Sequence, residues 1–576
     1  MTLRFASRPA SQAVQVPSRL ALTAMVALGV LLPVLTPAMA RPSDSSGSYL
    51  AGQHAYRAGD FTAAADYMSR ALAADPDNQP LLRRVLVLQV AEGRIASLSS
   101  LAQRVARTNP EDPVAALLLA LDSARATDYA AAIATIDPID PRGLGRFVRP
   151  LILAWLHLGK GDIAGAESAL NSLAGDPNLS LLKDFHTGLI MDLAGRPDQA
   201  EAAFERTVAL VQAPPLRLVQ ALGSAYERAG KTEMARNLYT DYIGRQGEDE
   251  RVLGWLARVN GKAPGAAKPV PLAKTPIEGL SEALYDIATG LRRDRAVEVA
   301  LIYGRLAVHI RPDHAASRIL VGELLQDQER FAPAIEVFDT IPADSPYRWE
   351  VDMAIAESLN GLKRSDEAIA KFEDLATRDT ERPEPLVRIG DVRRGEENYA
   401  AAIAAYDRAI ARVPQPTQRN WSMFYVRGIA HERAKQWAEA ERDFLRALEL
   451  QPEQPLVLNY LAYSWTEQGI KLDQAHDMIE RAVAQRPTDG YIIDSLGWVL
   501  YQQGRYDDAV RQLERAIELR PGDPTINDHL GDAYWKVGRR VEARFQWQRV
   551  LTLKPEDAEL EASVQRKLAD GLAASK

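Results

Sequence analysis

The amino-acid sequence predicts an all-α protein, built as a solenoid of helix–turn–helix repeats. Prolines recur every 34 or 35 residues, as at Pro452, Pro487, Pro521 and Pro555. Such internal repetition is the signature of a repeat array. Hydrophobic residues make up 47% of the chain and aromatic residues only 7%, which suits helices packed on helices better than a β-sandwich or barrel. The length of 576 residues then provides contact surface rather than several separate cores.

The first 40 residues predict a secretory signal peptide. Three arginines precede an apolar run from Leu20 to Leu35, and Ala38-Met39-Ala40 supplies the small residues of a cleavage site. An uncleaved anchor is the alternative, but a membrane span needs about 20 apolar residues and this run is shorter and contains Pro33. We therefore expect cleavage after Ala40. In a bacterium this predicts a periplasmic protein, and the chain has no lipobox cysteine.

Composition and motifs argue against an enzyme. The chain has no cysteine, which excludes disulfides, zinc–thiolate sites and cysteine nucleophiles, and it has only 8 histidines. Its net charge of −8 would become −11 after loss of the leader, so no basic excess points to nucleic acid. HExxH, GxSxG and phosphate-binding glycine motifs are missing from the sequence. We expect no catalytic residues, no metal and no cofactor.

The unit from Gly490 to Asp523 shows how each repeat works. Gly497 and Ala509 are placed where the two helices of the unit cross, because larger side chains would push the backbones apart. Gly504 permits the tight turn between them. Pro521 cannot continue the second helix, and an Asp-Pro pair then begins the next unit.

The order of small residue, aromatic, alanine, large apolar residue, alanine and proline in these units resembles tetratricopeptide (TPR) repeats. The resemblance is strong from Gly390 to Pro555 and weaker towards the N-terminus. It implies a TPR solenoid, a right-handed superhelix of roughly 12 to 14 units.

The domain organisation follows from where the repeats are interrupted. We predict a signal peptide (1–40), an N-terminal TPR-like block of degenerate repeats (41–260), a linker or hinge (261–279), a C-terminal TPR block (280–555) and a capping helix (556–576). The segment GKAPGAAKPVPLAKTP, with four prolines, marks the linker, and a long inter-helix loop is the alternative.

The first helices of the repeats are expected to line the concave side of the solenoid and to bind a partner. In the last three units the inward positions combine acidic and aromatic residues, which suits a partner segment that carries Arg or Lys. The alternative is that the two tryptophans pack in the core. The predicted groove consists of Tyr460, Ser464, Asp494, Trp498, Tyr501, Asp528, Asp532 and Trp535.

Three C-terminal segments carry a narrower resemblance: Leu458–Trp465, Asp489–Val510 and Ile526–Arg539. They are similar to blocks of TPR proteins of the Gram-negative cell envelope, among them an outer-membrane lipoprotein adaptor of a periplasmic carboxyl-terminal processing protease. The resemblance implies a scaffold or adaptor for protein partners, with that protease as one of them. The chain departs from the adaptor in having no lipid-bearing cysteine. The alternative is a binding subunit of an envelope polysaccharide- or protein-export machine.

Overall fold

The computed structural model describes residues 45–176, 179–247, 249–262 and 268–572. Across these residues the chain forms 30 α-helices and no β-strand, which confirms the predicted all-α repeat fold. The predicted signal peptide, residues 1–40, lies outside the described residues.

The described residues divide into two compact units between Lys371 and Phe372. The N-terminal unit contains α1 (Ser45–Arg57), α2 (Phe61–Ala74), α3 (Gln79–Ala91), α4 (Ser99–Thr108), α5 (Pro113–Arg125), α6 (Tyr129–Ile136), α7 (Gly145–Gly159), α8 (Ile163–Asn171), α9 (Ser180–Leu193), α10 (Pro197–Ala209), α11 (Leu216–Arg228), α12 (Thr232–Gln246), α13 (Glu250–Val259), α14 (Pro276–Arg293), α15 (Val297–Ile310), α16 (Ala315–Asp327), α17 (Phe331–Asp339) and α18 (Arg348–Gly361).

The boundary falls within α19 (Ser365–Arg378). The C-terminal unit continues with α20 (Glu384–Gly395), α21 (Tyr399–Ala411), α22 (Trp421–Arg433), α23 (Trp437–Leu450), α24 (Pro455–Glu467), α25 (Leu472–Gln485), α26 (Gly490–Gln502), α27 (Tyr506–Leu519), α28 (Pro524–Lys536), α29 (Arg540–Thr552) and α30 (Ala558–Asp570).

Successive helices pack against each other as helical hairpins. The local sequence explains where the helices begin and where the chain turns between them. Asp523 caps α28 by accepting a hydrogen bond from the backbone N–H of Ile526 at 3.0 Å. Gly504 turns the chain between α26 and α27 with φ +78°. The same turn is made by Glu397 and Lys435 with φ of 60° and 63°, so other repeats accept the left-handed conformation without glycine.

A small residue in each first helix lies against a large apolar side chain of the second helix. A Cβ on Gly497 would lie 2.5 Å from Cγ of Leu513, and one on Gly390 would lie 2.3 Å from the ring of Tyr406. Real Cβ atoms do not approach so closely, so glycine sets the distance between the paired helices. Ala509 on α27 is fully buried, as its place in the repeat requires.

The helices that follow the predicted linker pack against helices that precede it. Residues 263–267 of the linker lie outside the described residues, and α14 begins at Pro276. Helix α14 contacts α7 and α9, and α15 contacts α3 and α5. A Cβ on Gly279 would lie 2.1 Å from the fully buried Trp155 ring of α7. Within the N-terminal unit, α14 and α15 therefore cover α3, α5, α7 and α9, which are the first helices of repeats that precede the linker.

Candidate functional site

The predicted groove residues lie on α24, α26 and α28, the first helices of the last three repeats. These helices contact one another in sequence order, α24 with α26 and α26 with α28. Their inward side chains form one continuous series of ring stacks, hydrogen bonds and ion pairs, which we call the inner ladder. It extends from Glu467 at the end of α24 to Lys567 on α30.

Trp498 is the centre of the inner ladder. Its indole is stacked on the ring of Tyr501, with centroids 4.8 Å apart, and on the imidazole of His529, with centroids 4.0 Å apart. Its Nε1 donates to a carboxylate oxygen of Glu467 at 2.5 Å. Only 8% of Trp498 is exposed. The indole is therefore held by two stacked rings and at its polar edge, and offers little surface to a partner directly.

A buried ion pair links the two helices next to this stack. Nδ1 of His529 lies 3.0 Å from Oδ1 of Asp494, and both side chains are almost completely buried. Burial lowers the pKa of His529, but the Asp494 carboxylate outweighs it and the net pKa is raised. The imidazole thus stacks on the face of Trp498 with the Asp494 carboxylate beside it, an arrangement that fixes the ring orientation.

Asp528 and Asp532 are joined to the C-terminal helix of the same chain. Nζ of Lys567 lies 2.8 Å from a carboxylate oxygen of each. Oδ1 of Asp532 also accepts a hydrogen bond from Nε1 of Trp547 at 3.0 Å. Burial, together with the neighbouring Asp528 charge, raises the pKa of Asp532 to about 6. Helix α30 thereby supplies a cation to this end of the ladder from within the chain.

Tyr501 and Trp535 form the accessible rim of the inner ladder, because both rings are half-buried. Trp535 packs on Trp547 at 5.2 Å and carries the guanidinium of Arg540 over its ring at 3.8 Å. A Cβ on Gly571 would lie 2.1 Å from the Trp535 ring, so the chain after α30 passes closely over it. These two rings are the part of the inner ladder that solvent, or a partner, reaches.

Tyr460 and Ser464 lie one residue away from the register of the ladder. Tyr460 packs towards the preceding repeat, with its ring 5.2 Å from that of Phe444, and Ser464 is half-buried. The repeat from Pro452 to Pro487 has 35 residues instead of 34. Counting back 35 residues from Asp494 and Trp498 gives Asn459 and Tyr463, which are both buried.

Tyr463 is one of the ladder residues that sequence reasoning missed, together with Glu467, His529 and Lys567. Burial and the carboxylates of Glu467 and Asp494 raise its pKa, which places its hydroxyl among the acidic groups of the ladder. The extra residue in that repeat was the available signal, because it shifts every inward position by one.

The corresponding first helices of the N-terminal unit carry a buried ionic cluster instead. Glu282 of α14 is fully buried and accepts a hydrogen bond from Arg217 of α11. It also lies 3.3 Å from Nε2 of His314. Burial raises the pKa of Glu282, but Arg217 and His314 outweigh it and bring the pKa to about 2. One turn further along α14, Asp286 lies 3.1 Å from Nε2 of His186, which accepts from the Trp155 indole through Nδ1.

Within the described ranges, one group of side chains has the spacing of a cation site: His476, Asp477 and Glu480 on α25. Nε2 of His476 lies 3.7 Å from a Glu480 oxygen, and both acidic residues are exposed. Exposed acidic residues near a histidine are common on helix surfaces, so the group carries no assignment. None of the described helices has the length and apolar character needed to cross a membrane.

Family models match four segments of the chain. The model described as tetratricopeptide repeat matches residues 38–79, 387–455 and 425–490, and the one described as TPR repeat matches residues 497–538. The last two segments include α24 and α28 and the second half of α26, which carry most of the inner ladder. All the matching models are repeat models, and no catalytic family is indicated.

A TPR repeat-containing protein of Pseudomonas aeruginosa is 24% identical over 200 residues, which cover 34% of this chain and 32% of that protein. The match thus spans about a third of the relative's length. Among solved structures, the APC/C hetero-tetramer Cut9–Hcn1 is 15% identical, with a TM-score of 0.39 and coverage of 91% of this chain and 96% of that one. Yeast Tom70 is 14% identical, with a TM-score of 0.32 and coverage of 92% and 95%.

Proposed function

Because the chain is built from tetratricopeptide repeats, we propose that it is an exported scaffold that binds protein partners in the periplasm. We also propose that one partner is a carboxyl-terminal processing protease, whose substrates the scaffold holds nearby. The leader-like segment up to Ala40 supports export. The repeat fold supports protein binding, since stacked helix pairs offer long surfaces over which affinity is distributed among many side chains.

The inner ladder is the observation that carries this proposal. Its buried part is fixed by ring stacks and ion pairs, so the half-buried rings of Tyr501 and Trp535 are presented in a defined position. Aromatic rings backed by a rigid support bind with little loss of side-chain freedom. The ladder aspartates are paired with His529 and Lys567 within the chain. A partner segment that carries Arg or Lys would therefore bind through the accessible aromatic faces of the rim.

Support for the protease comes from the location of the narrower resemblance. The segments Asp489–Val510 and Ile526–Arg539 contain α26 and α28, which are the helices that carry Trp498, His529 and the rim rings. The residues that resemble the adaptor are therefore the residues that build the ladder.

A binding experiment with the protease tests the partner and the surface together. The chain from Arg41 onward would be immobilised and exposed to the periplasmic processing protease of the same organism, made inactive at its catalytic serine. We expect binding that weakens about tenfold when Tyr501→Ala and Trp535→Ala are combined. Leu445→Ala, an exposed side chain on α23, is the matched control and should leave binding unchanged.

Equal binding by the double variant and the wild type would refute the rim as the contact. Lack of binding by the wild type would refute the protease, and capture of components of an export machine from envelope extract would favour the alternative function.

The proposed location has its own test. Cell fractionation should find the protein in the periplasm, and N-terminal sequencing should begin at Arg41. A cytoplasmic protein that keeps its first residues would overturn the export proposal.

A further inference from the structure

Two exposed apolar side chains lie on α29, the second helix of the last repeat. The three preceding repeats have no such pair at the equivalent positions. Val541 and Phe545 lie four residues apart on α29, and 81% and 63% of their surfaces are exposed. The equivalent positions in the three preceding repeats carry exposed charged or small residues: Asp507 and Arg511, Asp473 and Asp477, and Ala438 and Arg442. The repeat therefore places these positions in solvent, and only the last repeat fills both with apolar groups.

The exposure of this pair does not reflect a helix that lacks a core. Helix α29 already buries Ala543, Trp547 and Val550 completely in the packing of the last repeat. Val541 and Phe545 occupy the opposite side of the helix, where an amphipathic helix normally carries polar residues. An apolar pair at such a place is a candidate contact surface for another molecule.

The surroundings of the pair are basic. Arg540, Arg544 and Arg549 lie on the same helix, and among the described residues none of them has a carboxylate within 4.0 Å. By contrast, Arg511 in the preceding repeat is paired with Asp508. The three guanidinium groups contact a ring or backbone carbonyls instead: Arg540 lies 3.8 Å over Trp535, Arg544 donates to Leu568 at 2.6 Å, and Arg549 donates to Pro521 at 3.0 Å.

We propose that Val541 and Phe545, flanked by these arginines, form a docking surface for an amphipathic helix of a partner protein that carries acidic residues beside its apolar stripe. Two apolar anchors one helical turn apart are the spacing with which helices recognise each other. The guanidinium groups have no carboxylate partner within the described residues, so charge complementarity favours a partner of negative charge. This surface lies on a second helix, and its partner has the opposite charge to the basic segment proposed for the rim of the inner ladder.

Two other occupants fit less well. A second copy of the chain would bring the arginines of two α29 helices together, and like charges oppose such contact. A membrane-binding helix needs a broad apolar face, whereas α29 exposes one pair and buries the rest of its apolar residues.

A synthetic peptide tests the docking surface on the chain from Arg41 onward. The peptide is a helix with leucines four residues apart and glutamates on both flanks, labelled with a fluorophore and measured by anisotropy. We expect saturable binding that weakens about tenfold when Val541→Ser and Phe545→Ser are combined. Arg544→Glu should weaken binding as well, and added salt should lower the affinity for the wild type.

Asp507→Ser combined with Arg511→Ser is the matched control, because it changes the equivalent positions one repeat earlier and should preserve binding. All variants should melt near the wild-type temperature, since the substituted side chains are exposed. Equal affinity of the Val541/Phe545 variant and the wild type would overturn the proposal. Binding to phosphatidylethanolamine–phosphatidylglycerol vesicles without peptide binding, or a dimer abolished by the same substitutions, would also overturn it. Protease binding at the rim is measured in a separate experiment, since it depends on Tyr501 and Trp535. Failure of one proposal can therefore be distinguished from failure of the other.

Discussion

The two compact units are built from the same kind of repeat, but their first helices have different roles. In the N-terminal unit α14 and α15 cover the first helices, and Gly279 lies directly against Trp155. In the C-terminal unit the first helices carry the inner ladder and leave the rings of Tyr501 and Trp535 half-buried. In the same kind of repeat, the inward side of the first helices is therefore either covered by later helices or left partly accessible. The residues at the inward positions determine which of the two occurs.

The ion pairs formed at the inward positions also differ between the two units. Glu282 is fully buried among Arg217 and His314, so the ionic cluster of the N-terminal unit holds helices together. In the C-terminal unit the cation of Lys567 comes from the final helix, and its carboxylate partners are 3% and 8% exposed. The pKa of Glu282 is lowered to about 2, whereas that of Asp532 is raised to about 6, so we expect the N-terminal unit to depend more strongly on its ion pair.

Removal of the buried cation in the N-terminal unit should have the largest effect. Arg217→Met leaves Glu282 without its principal partner, and breaking one side of a buried pair costs about 3–5 kcal/mol. We expect lower stability of the N-terminal unit in denaturant unfolding and faster hydrogen exchange in α14. Arg142→Met removes an exposed pair with Asp140, and because exposed pairs contribute little, stability should stay close to that of the wild type. Equal effects of the two substitutions would contradict the comparison.

A single methyl group at the contact between α14 and α7 should have the next largest effect. Gly279→Ala forces a Cβ into the Trp155 ring, and overpacking of this kind costs about 1–3 kcal/mol. Limited proteolysis should then cut the segment before α14 more rapidly. Gly290→Ala lies on the same helix with no atom within 4 Å of the new Cβ, so this variant should be at least as stable as the wild type. Equal proteolysis of the two variants would show that α14 does not depend on this contact.

The cation of the inner ladder should matter less than that of the N-terminal unit. Lys567→Met leaves Asp528 and Asp532 without their ammonium partner, but Asp532 already has a raised pKa and can accept a proton. We expect a loss of about 1–2 kcal/mol at pH 8 that becomes smaller at pH 5. Thermal unfolding at both pH values measures the difference. A loss that grows on acidification would show that both carboxylates stay charged.

Mild acid should affect the two units in opposite directions. Burial lowers the pKa of His314, so the unfolded chain gains a proton first and the N-terminal unit loses stability as the pH falls through about 6.5. The pKa of His529 is raised above its usual value of about 6.5, and that of Asp532 is raised to about 6, so the folded C-terminal unit binds protons before the unfolded chain and gains stability as the pH falls from 8 to about 5. Hydrogen-exchange protection of α16 and α28 at these two pH values reports each unit in the intact chain.

Single substitutions test whether the pH dependence originates in these two histidines. His314→Gln should remove most of the pH dependence at α16, and His529→Gln should reduce it at α28. If both helices respond to acid in the same direction, the difference between the units does not originate in these histidines.

Sequence reasoning recovered what depends on residues close together in the chain. Proline spacing and the small residues at Gly497 and Ala509 predicted the repeat and its helix crossing. Capping by Asp523 and the turn at Gly504 followed from local backbone chemistry. Six of the eight predicted groove residues lie in the inner ladder, whereas Tyr460 and Ser464 do not, since a 35-residue repeat displaced the register. Whether the rim binds a partner stays a prediction.

The sequence by itself determined the all-α repeat, its period and the residues that set the distance between paired helices, because each of these depends on neighbours within one unit. Only the tertiary structure decided which inward side chains remain accessible. Arg217 meets Glu282 across 65 residues of sequence, and Lys567 reaches Asp528 across 39. Contacts of this range depend on how the units stack, and no periodic pattern within a repeat specifies them.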